Sequence, residues 1–336
     1  MIWLKFALCL TVILLAGTKL AKYGDAIAGK TRLGRIWIGL VLIAVVTTMP
    51  ELTTGVSSMA LVGSPDLALG TLLGSCCFNL FILALLDILH SRTPVLTVAS
   101  PRHVIAAGWG ALLIAIAGAG IITGSRFSFL GLGWVGIPSI AILILYLLGM
   151  WWIFRRERSH QLAAAPATSP QHEELTTRTV CIRFALAAAA VIAAGIWLSF
   201  IGDEISKTTG WGSTFVGTLF LAITTSAPEI VVALTALRLG VVDLAVAGLL
   251  GANMLNMAII VPVDLAHGQG FVLASVSSSH LVMASVAVAM SLVVIIGLRF
   301  PQRQKLLGVL SWYAPVLIAL YVFGAYRLFT SSAGLW

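Results

Sequence analysis

Charged residues are scarce in this chain. Asp, Glu, Lys and Arg together make up 10% of its 336 residues, where a water-soluble domain carries roughly a quarter. That scarcity excludes a solvated globular surface over most of the length. Acidic residues are the rarer sign, 12 against 20 Lys and Arg, so each one calls for a reason. Only four cysteines are present, Cys9, Cys76, Cys77 and Cys181, all in apolar stretches. Adjacent Cys76 and Cys77 are too close for a tetrahedral zinc pair and read as small helix-packing residues. The net charge of +8 is spread over short polar segments and forms no stripe, which argues against a nucleic-acid partner.

Apolar residues fill the place of the missing charge. They make up 60% of the chain, and the mean hydropathy is +1.06, which calls for a lipid bilayer as solvent. Ten candidate helices lie near residues 3–20, 36–62, 66–89, 103–123, 131–154, 180–201, 213–238, 243–264, 279–298 and 306–329. Each can cross a hydrocarbon core of about 30 Å at about 1.5 Å per residue. The second and seventh exceed the minimum, so tilt or a break is expected there. The sequence therefore predicts an all-α polytopic membrane protein.

Basic residues give its orientation. Lys19, Lys22, Lys30, Arg32 and Arg35 follow the first apolar stretch and only Lys5 precedes it. A cleavable signal has the opposite asymmetry, so this is a helix with its N-terminus outside. With that orientation only Lys5, Arg126, Lys207 and Arg327 fall outside, as the positive-inside rule requires, and the C-terminus is outside as well. Trp3, Trp37, Trp134, Trp151, Trp152 and Trp211 cluster near helix ends, as an interfacial belt does. The hydrophilic stretch 155–178 reads as a flexible cytoplasmic linker. It separates a first five-helix repeat, 1–154, from a second, 179–336, with no room for a regulatory domain.

Five spans per half require the second half to enter the membrane from the opposite side. The halves also repeat in sequence. Thr47-Thr48-Met49-Pro50-Glu51 recurs as Thr225-Ser226-Ala227-Pro228-Glu229. The run Gly63 to Asn79 recurs as Gly240 to Asn256 with eight of seventeen positions identical, among them Asp66/Asp243, Gly74/Gly251 and Asn79/Asn256. At the same spacing Asp87 matches Asp264, His90 matches His267, and His103 matches His280. Inverted repeats with special helices at matching positions are a signature of secondary transporters, with the substrate site at the repeat interface.

Glu51 and Glu229 fall near the middle of their helices, where a carboxylate costs several kcal/mol unless it faces protein, water or a cation. Pro50 cannot donate to the carbonyl of Val46, nor Pro228 to that of Thr224. Those freed oxygens need partners, and a dehydrated cation is one. Thr47, Thr48, Thr225 and Ser226 add hydroxyls within the same turns. Asn79 and Asn256 lie at membrane depth on the next helices, with Ser75 one turn before Asn79. Oxygen donors with two carboxylates suit hard cations such as Ca²⁺ or Na⁺. The plainer alternatives are a protonated glutamate bonded to a neighbouring helix and asparagines that only bridge helices. Gly70, Gly74, Ala247 and Gly251 read as packing positions, and Asp66 and Asp243 as caps of their own helices. Asp87, Asp264 and the paired histidines are expected at the membrane surfaces.

These residues resemble the alpha repeats of the calcium/cation antiporter superfamily, the sodium/calcium exchangers. That family carries Gly-Thr-Ser-x-Pro-Glu in one helix and Gly-Ser-Asn-x-x-Asn/Asp in the next. This chain reads Val46 to Glu51 and Gly74 to Asn79 in the first half, and Thr224 to Glu229 and Gly251 to Asn256 in the second. The resemblance implies an integral plasma-membrane (or bacterial inner-membrane) antiporter that exchanges Ca²⁺ for Na⁺ or H⁺, with no cofactor and no obligate protein partner. It implies that Glu51 and Glu229 coordinate Ca²⁺, with Thr47, Thr48, Thr225, Ser226, Ser75, Asn79 and Asn256 supplying the remaining side-chain ligands. It also implies that the first and sixth helices slide across a core bundle. The chain departs from the pattern at Val46 and Thr224, at Cys76, at Ala252, and at Asn256 where several exchangers have aspartate. Two carboxylates balance one Ca²⁺, two Na⁺ or two H⁺, and a third Na⁺ would be left uncompensated. Two other classes of function fit less well. An intramembrane enzyme using the glutamates as an acid/base pair on a lipid phosphate would need Lys or Arg in the Pro-Glu turns, and none is there. A passive channel would conduct without a counter-ion gradient.

Overall fold

The computed structural model describes residues 1–30, 44–90, 93–124, 131–132, 135–161, 176–268, 270–301, 304–305 and 310–332. The start of the second expected span (36–43), Trp37, Trp134, Arg32, Arg35, Arg126, most of the 155–178 linker and the start of the tenth span (306–309) lie outside these residues. The described chain is almost wholly helical, as its composition requires, since in lipid each backbone N–H and C=O must be satisfied within its own segment.

The first half comprises α1 (Ile2–Lys30), α2 (Met49–Ala60), α3 (Pro65–Leu89), the short α4 (Val95–Val98), α5 (His103–Gly124) and α6 (Ile137–Gln161). The second comprises α7 (Thr177–Thr209), α8 (Ser213–Val216), a π-helical turn at Gly217–Leu221, α9 (Ala222–Thr225), α10 (Ala227–Arg238) and α11 (Val242–Ala258). It closes with α12 (Ile260–His267), the short α13 (Val272–Ser275), α14 (His280–Arg299) and α15 (Tyr313–Ser332). Among the described residues eight helices are long and apolar enough to cross a membrane, and the pair Ser213–Thr225 and Ala227–Arg238, bent by 44°, makes a ninth. The other expected span, 36–62, is helical over 44–47 and again over Met49–Ala60.

Several boundaries differ from the hydropathy pattern for identifiable reasons. Helices α1 and α7 run well past the apolar windows, because polar residues continue them. Lys207 bonds Asp203 one turn away, and Gly210 ends α7 in the left-handed conformation at φ 73°. The fifth expected span begins only at Ile137, since Gly131–Leu132 and Val135–Gly136 pair as a two-residue antiparallel ribbon (β1, β2). The eighth runs as one span, Val242–His267, with a local irregularity at Ile259 where Pro262 has no N–H for the carbonyl of Ala258.

Helix α3 is the centre. In its most apolar stretch 78% of residues are buried, against 17% for α6, so α3 is enclosed by protein while α6 faces lipid. Arg155 and Arg156 lie over the rings of Trp151 and Trp152 at 5.4 and 6.0 Å from their centroids, an arrangement that anchors the end of α6 at the interface. Around α3 pack α2, the π-helical turn, α11, α14 and α15. Helices α1 and α7 form a peripheral pair. Lys5 meets Glu204 at 2.9 Å, the Cys9 thiol meets the Ala194 carbonyl at 3.2 Å, and Gly24 lies against Phe184. The numbering falls on one helix as it rises on the other, so the two run antiparallel.

Matching positions behave alike. Helices α2 and α10 have 12 residues each, and both are followed by a turn through a left-handed glycine, Gly63 at φ 72° and Gly240 at φ 75°. The spacing between the halves is 178 at the Pro-Glu turns and 177 from Gly63 onward. The single extra residue therefore sits in the turn and leaves both helices in phase.

The two aspartates expected to cap their own helices do something else. Asp66 accepts from Ser277 N–H at 2.7 Å and lies 3.0 Å from His280 Nε2. Asp243 accepts from Ser100 N–H at 2.6 Å and lies 2.9 Å from His103 Nε2. Each carboxylate thus clasps the start of a helix in the opposite half, while the hydroxyl of Ser64 caps α3. Asp87 and Asp264, expected at the surface, are fully buried. Asp87 accepts from Val95 N–H at 2.9 Å and Asp264 from Val272 N–H at 2.7 Å, so each fixes the short helix that follows it.

The packing role of Gly70 and Gly74 is explicit. A Cβ on Gly74 would overlap the Thr218 carbonyl oxygen and stand 2.7 Å from Ala222 Cβ, so backbone meets backbone at the π-helical turn. A Cβ on Gly251 meets none of the described atoms, and the matching stretch of the first half, 39–43, lies outside them. Gly74→Ala is expected to cost about 1 to 3 kcal/mol by overpacking. Gly108→Ala, where an added Cβ meets nothing within 4 Å, is expected to be neutral or stabilising. Thermal unfolding in detergent compares the two.

Candidate functional site

The two Pro-Glu turns are built alike. The helix ending at 47 stops at Thr48, with φ −86° and ψ 2°, and restarts at Met49. The helix ending at Thr225 stops at Ser226, with φ −84° and ψ 8°, and restarts at Ala227. Pro50 and Pro228 occupy the second position of the new helix, where a missing N–H costs nothing. Glu51 and Glu229 follow at the third, over the free amides of a helix N-terminus, whose partial positive charge favours an anion. The break therefore frees carbonyls on one side and presents a carboxylate on the other.

Tertiary packing then brings the turns together. Glu51 is fully buried and its Oε1 accepts from Ser226 Oγ at 2.9 Å and from Ser75 Oγ at 3.3 Å. The hydroxyls of Ser75 and Ser226 are 2.9 Å apart, and Thr225 Oγ1 is 3.4 Å from Ser75. Four residues singled out in the sequence, Glu51, Ser75, Thr225 and Ser226, thus form one hydrogen-bonded cluster drawn from both halves. Glu229 is 4% exposed. With Thr47 it lines a water-sized cavity of about 20 Å³, walled by Ala44, Val232, Ala233, Leu244, Ala245, Gly248 and Leu249. Thr47 and Thr225 donate to the matching carbonyls of Ala44 and Ala222, each at 3.2 Å, and Thr48 donates to Ala44 at 2.6 Å. Their oxygen lone pairs stay available as acceptors or ligands.

Several buried oxygen atoms of the expected ligands have no hydrogen-bond partner among the described residues: Glu51 Oε2, both carboxylate oxygens of Glu229, Asn79 Oδ1 and Asn256 Oδ1. Buried carboxylate oxygens left unpaired carry a full desolvation cost. Neither glutamate makes an ion pair among the described residues, and no group of three or more His, Cys, Asp and Glu gathers there. The available donors are carboxylate, hydroxyl and amide oxygens, which suit a hard cation and not a thiolate- or imidazole-seeking metal.

One residue of this region was not singled out from the sequence. Asn253 accepts from Asn79 Nδ2 at 3.0 Å and donates from its own Nδ2 to the Cys76 carbonyl at 3.2 Å, while the Cys76 thiol faces the Asn253 carbonyl at 3.6 Å. Cys76 and Asn253 are matching positions, 177 apart, and they touch each other. Matching residues can meet in this way only near an axis relating the two halves. The signal was present, since Asn253 stands where the motif has its first asparagine.

The family profile described as sodium/calcium exchanger protein matches residues 1–155 and 179–330. The inner membrane protein YrbG of Escherichia coli (strain K12) is 24% identical over 313 residues, covering 84% of this chain and 88% of that protein. The solved structure of native YfkE superposes with a TM-score of 0.67 at 18% identity, covering 96% of this chain and 91% of that one. The sodium-calcium exchanger NCX_Mj, soaked with Na⁺ and Sr²⁺, gives 0.57 at 17% identity, covering 97% and 99%. At these identities the two structures speak for the fold.

Asn253→Ala would strand the Cys76 carbonyl and the Asn79 amide in a dry interior. It is expected to destabilise the protein by about 1 to 3 kcal/mol, read as a lowered unfolding temperature.

Proposed function

From the premise that the chain belongs to the sodium/calcium exchanger protein family, we propose that it is a secondary antiporter that moves Ca²⁺ against Na⁺ at a site between its two halves. The halves are 1–154 and 179–336, two five-helix repeats of opposite orientation joined by the 155–178 linker, with both termini outside the plasma (or bacterial inner) membrane. Glu51 and Glu229 are the charged ligands. Thr47, Thr48, Ser75, Asn79, Thr225, Ser226 and Asn256 supply the neutral oxygens. The observation that carries this reading is the set of buried carboxylate oxygens on Glu51 and Glu229 that have no hydrogen-bond partner among the described residues.

Two anionic carboxylates in a low-dielectric interior require about two positive charges. One Ca²⁺ or two Na⁺ meets that demand, so each can replace the other without leaving net charge behind. Coupling follows from this balance, because an unliganded pair of carboxylates is too costly to carry across. Two protons would balance the charge as well, which makes H⁺-coupled exchange the second reading. Na⁺ is favoured because the hydroxyl and amide oxygens around the carboxylates are ligands a cation uses and a proton does not. No bond is made or broken in this cycle, so the protein is a transporter and not an enzyme.

The test is Ca²⁺ flux in proteoliposomes under an imposed Na⁺ or H⁺ gradient. Uptake driven by outward Na⁺ is expected, and uptake driven by H⁺ alone would replace Na⁺ with H⁺ as the coupling ion. Glu51→Gln and Glu229→Gln are each expected to lower the driven rate roughly 100-fold, the scale of a lost buried charge pairing. Undiminished flux in both variants would refute the site. Uptake indifferent to either gradient would refute antiport.

A further inference from the structure

The peripheral pair α1–α7 carries a repeat of its own. Ala16, Gly17, Leu20, Gly24, Asp25 and Ile27 recur as Ala194, Gly195, Leu198, Gly202, Asp203 and Ile205 at a spacing of 178. The glycines lie where this pair crosses the two Pro-Glu helices. A Cβ on Gly17 would overlap Pro228, and one on Gly195 would stand 3.0 Å from Thr53 Cβ. In a two-fold arrangement the counterpart of Pro228 is Pro50, yet Gly195 meets position 53. Gly24 meets Val46, whose counterpart is Thr224, yet Gly202 meets Leu221. Both mismatches are three residues.

Both also have one direction. The contacts on the 44–60 segment lie three residues further along than the counterparts of those on the 213–238 segment. Since the two segments are oppositely directed, the α1–α7 pair is displaced toward the end of the bundle that bears Ala60 and Ser213. Its mirror-related register is about 4.5 Å away, three residues at about 1.5 Å each. The cavity beside Glu229 lies toward the other end. The counterparts of its walls, Thr54, Gly55, Leu67, Ala68, Thr71 and Leu72, are all buried.

One hydrogen bond between the pair and the Pro-Glu helices depends on this register. Thr54 Oγ1 donates to the Gly195 carbonyl at 3.2 Å. The Cys9 to Ala194 contact and the Lys5 to Glu204 pair lie within the α1–α7 unit and would travel with it. In the mirror register the counterpart carbonyl is that of Gly17, and the residue facing it is Val232, which has no donor. We propose that Thr54 is a positioning residue that biases this transporter toward the register with the Glu229 cavity open, and that Val232 leaves the opposite register without an equivalent bond. The bias rests on the antiporter reading, in which α1 and α7 move between two registers. It makes the two halves of the transport cycle unequal in a chain whose cation ligands are nearly matched.

The bias is measured as a distance ratio. Nitroxides at exposed Phe200 of α7 and exposed Leu292 of α14, with exposed Cys181 replaced by Ser, report the register of the full-length protein in lipid nanodiscs. Thr54→Val is expected to shift the ratio of the two distances roughly two- to tenfold toward the minor one, the range of a single hydrogen bond. Thr54→Ser, which keeps the donor, is expected to retain the native ratio. The exchange Thr54→Val with Val232→Thr is expected to reverse the preference. Val232→Thr alone, which leaves Thr54 in place, is expected to raise the minor distance and serves if Thr54→Val does not fold. Two distances whose ratio ignores all of these changes overturn the latch while leaving antiport intact. A single distance under every cation condition overturns both the latch and the moving-helix reading.

Discussion

A carboxylate inside a membrane protein is tolerable only where something positive or something donating faces it, and two of them set the terms for this fold. The proline before each glutamate starts a new helix at membrane depth, so the free amides of a first turn lie beneath the acid. Ser226 and Ser75 then reach Glu51 from other helices. That convergence requires α3 to pass through the centre with small residues facing the broken segment, and Gly70 and Gly74 provide them. The buried course of α3, the backbone contact at the π-helical turn and the broken α9–α10 pair all follow from accommodating two acids in hydrocarbon.

The same economy of charge is visible away from the centre. Of the remaining acids, Asp66 and Asp243 each tie one half to a helix start in the other, and Asp87 and Asp264 each fix a short helix eight residues on. Cys76 and Asn253 join the halves near their common axis. These bonds knit α3, α5, α11 and α14 into one body. None of them involves α1 or α7, whose closest polar contacts are largely with each other. The division between a cross-braced core and a peripheral pair is thus written in hydrogen bonds as well as in burial.

The acid-bearing turns were legible in the sequence because a proline removes a donor whatever the tertiary context, and because the motif occurs twice. The hydroxyls of Thr225 and Ser226 were legible as part of the Glu229 turn, but that Ser226 and Ser75 meet Glu51 is a product of tertiary packing. The clasps were not legible. Asp66 at the start of a helix has the local pattern of a cap, and only the crossing of helices more than two hundred residues apart in the chain gives it His280 instead. The coincidence that Asp66, Asp243, His103 and His280 all recur at one spacing was a usable hint of mutual contact. Asn253 is inconspicuous because its counterpart is a cysteine, and an amide opposite a thiol does not look like a repeat.

The single-residue difference between the halves falls in the turn after α2. Within a helix, one added residue would rotate everything beyond it by about 100°, carrying Ser75 off the side it presents to Glu51. Placed between Ala60 and Pro65, it is absorbed as loop slack around a left-handed glycine. The two ends of the bundle can therefore diverge in length and chemistry without perturbing the matched interior. A duplicated architecture gains from this an asymmetric exterior, able to meet two different aqueous compartments around one matched interior.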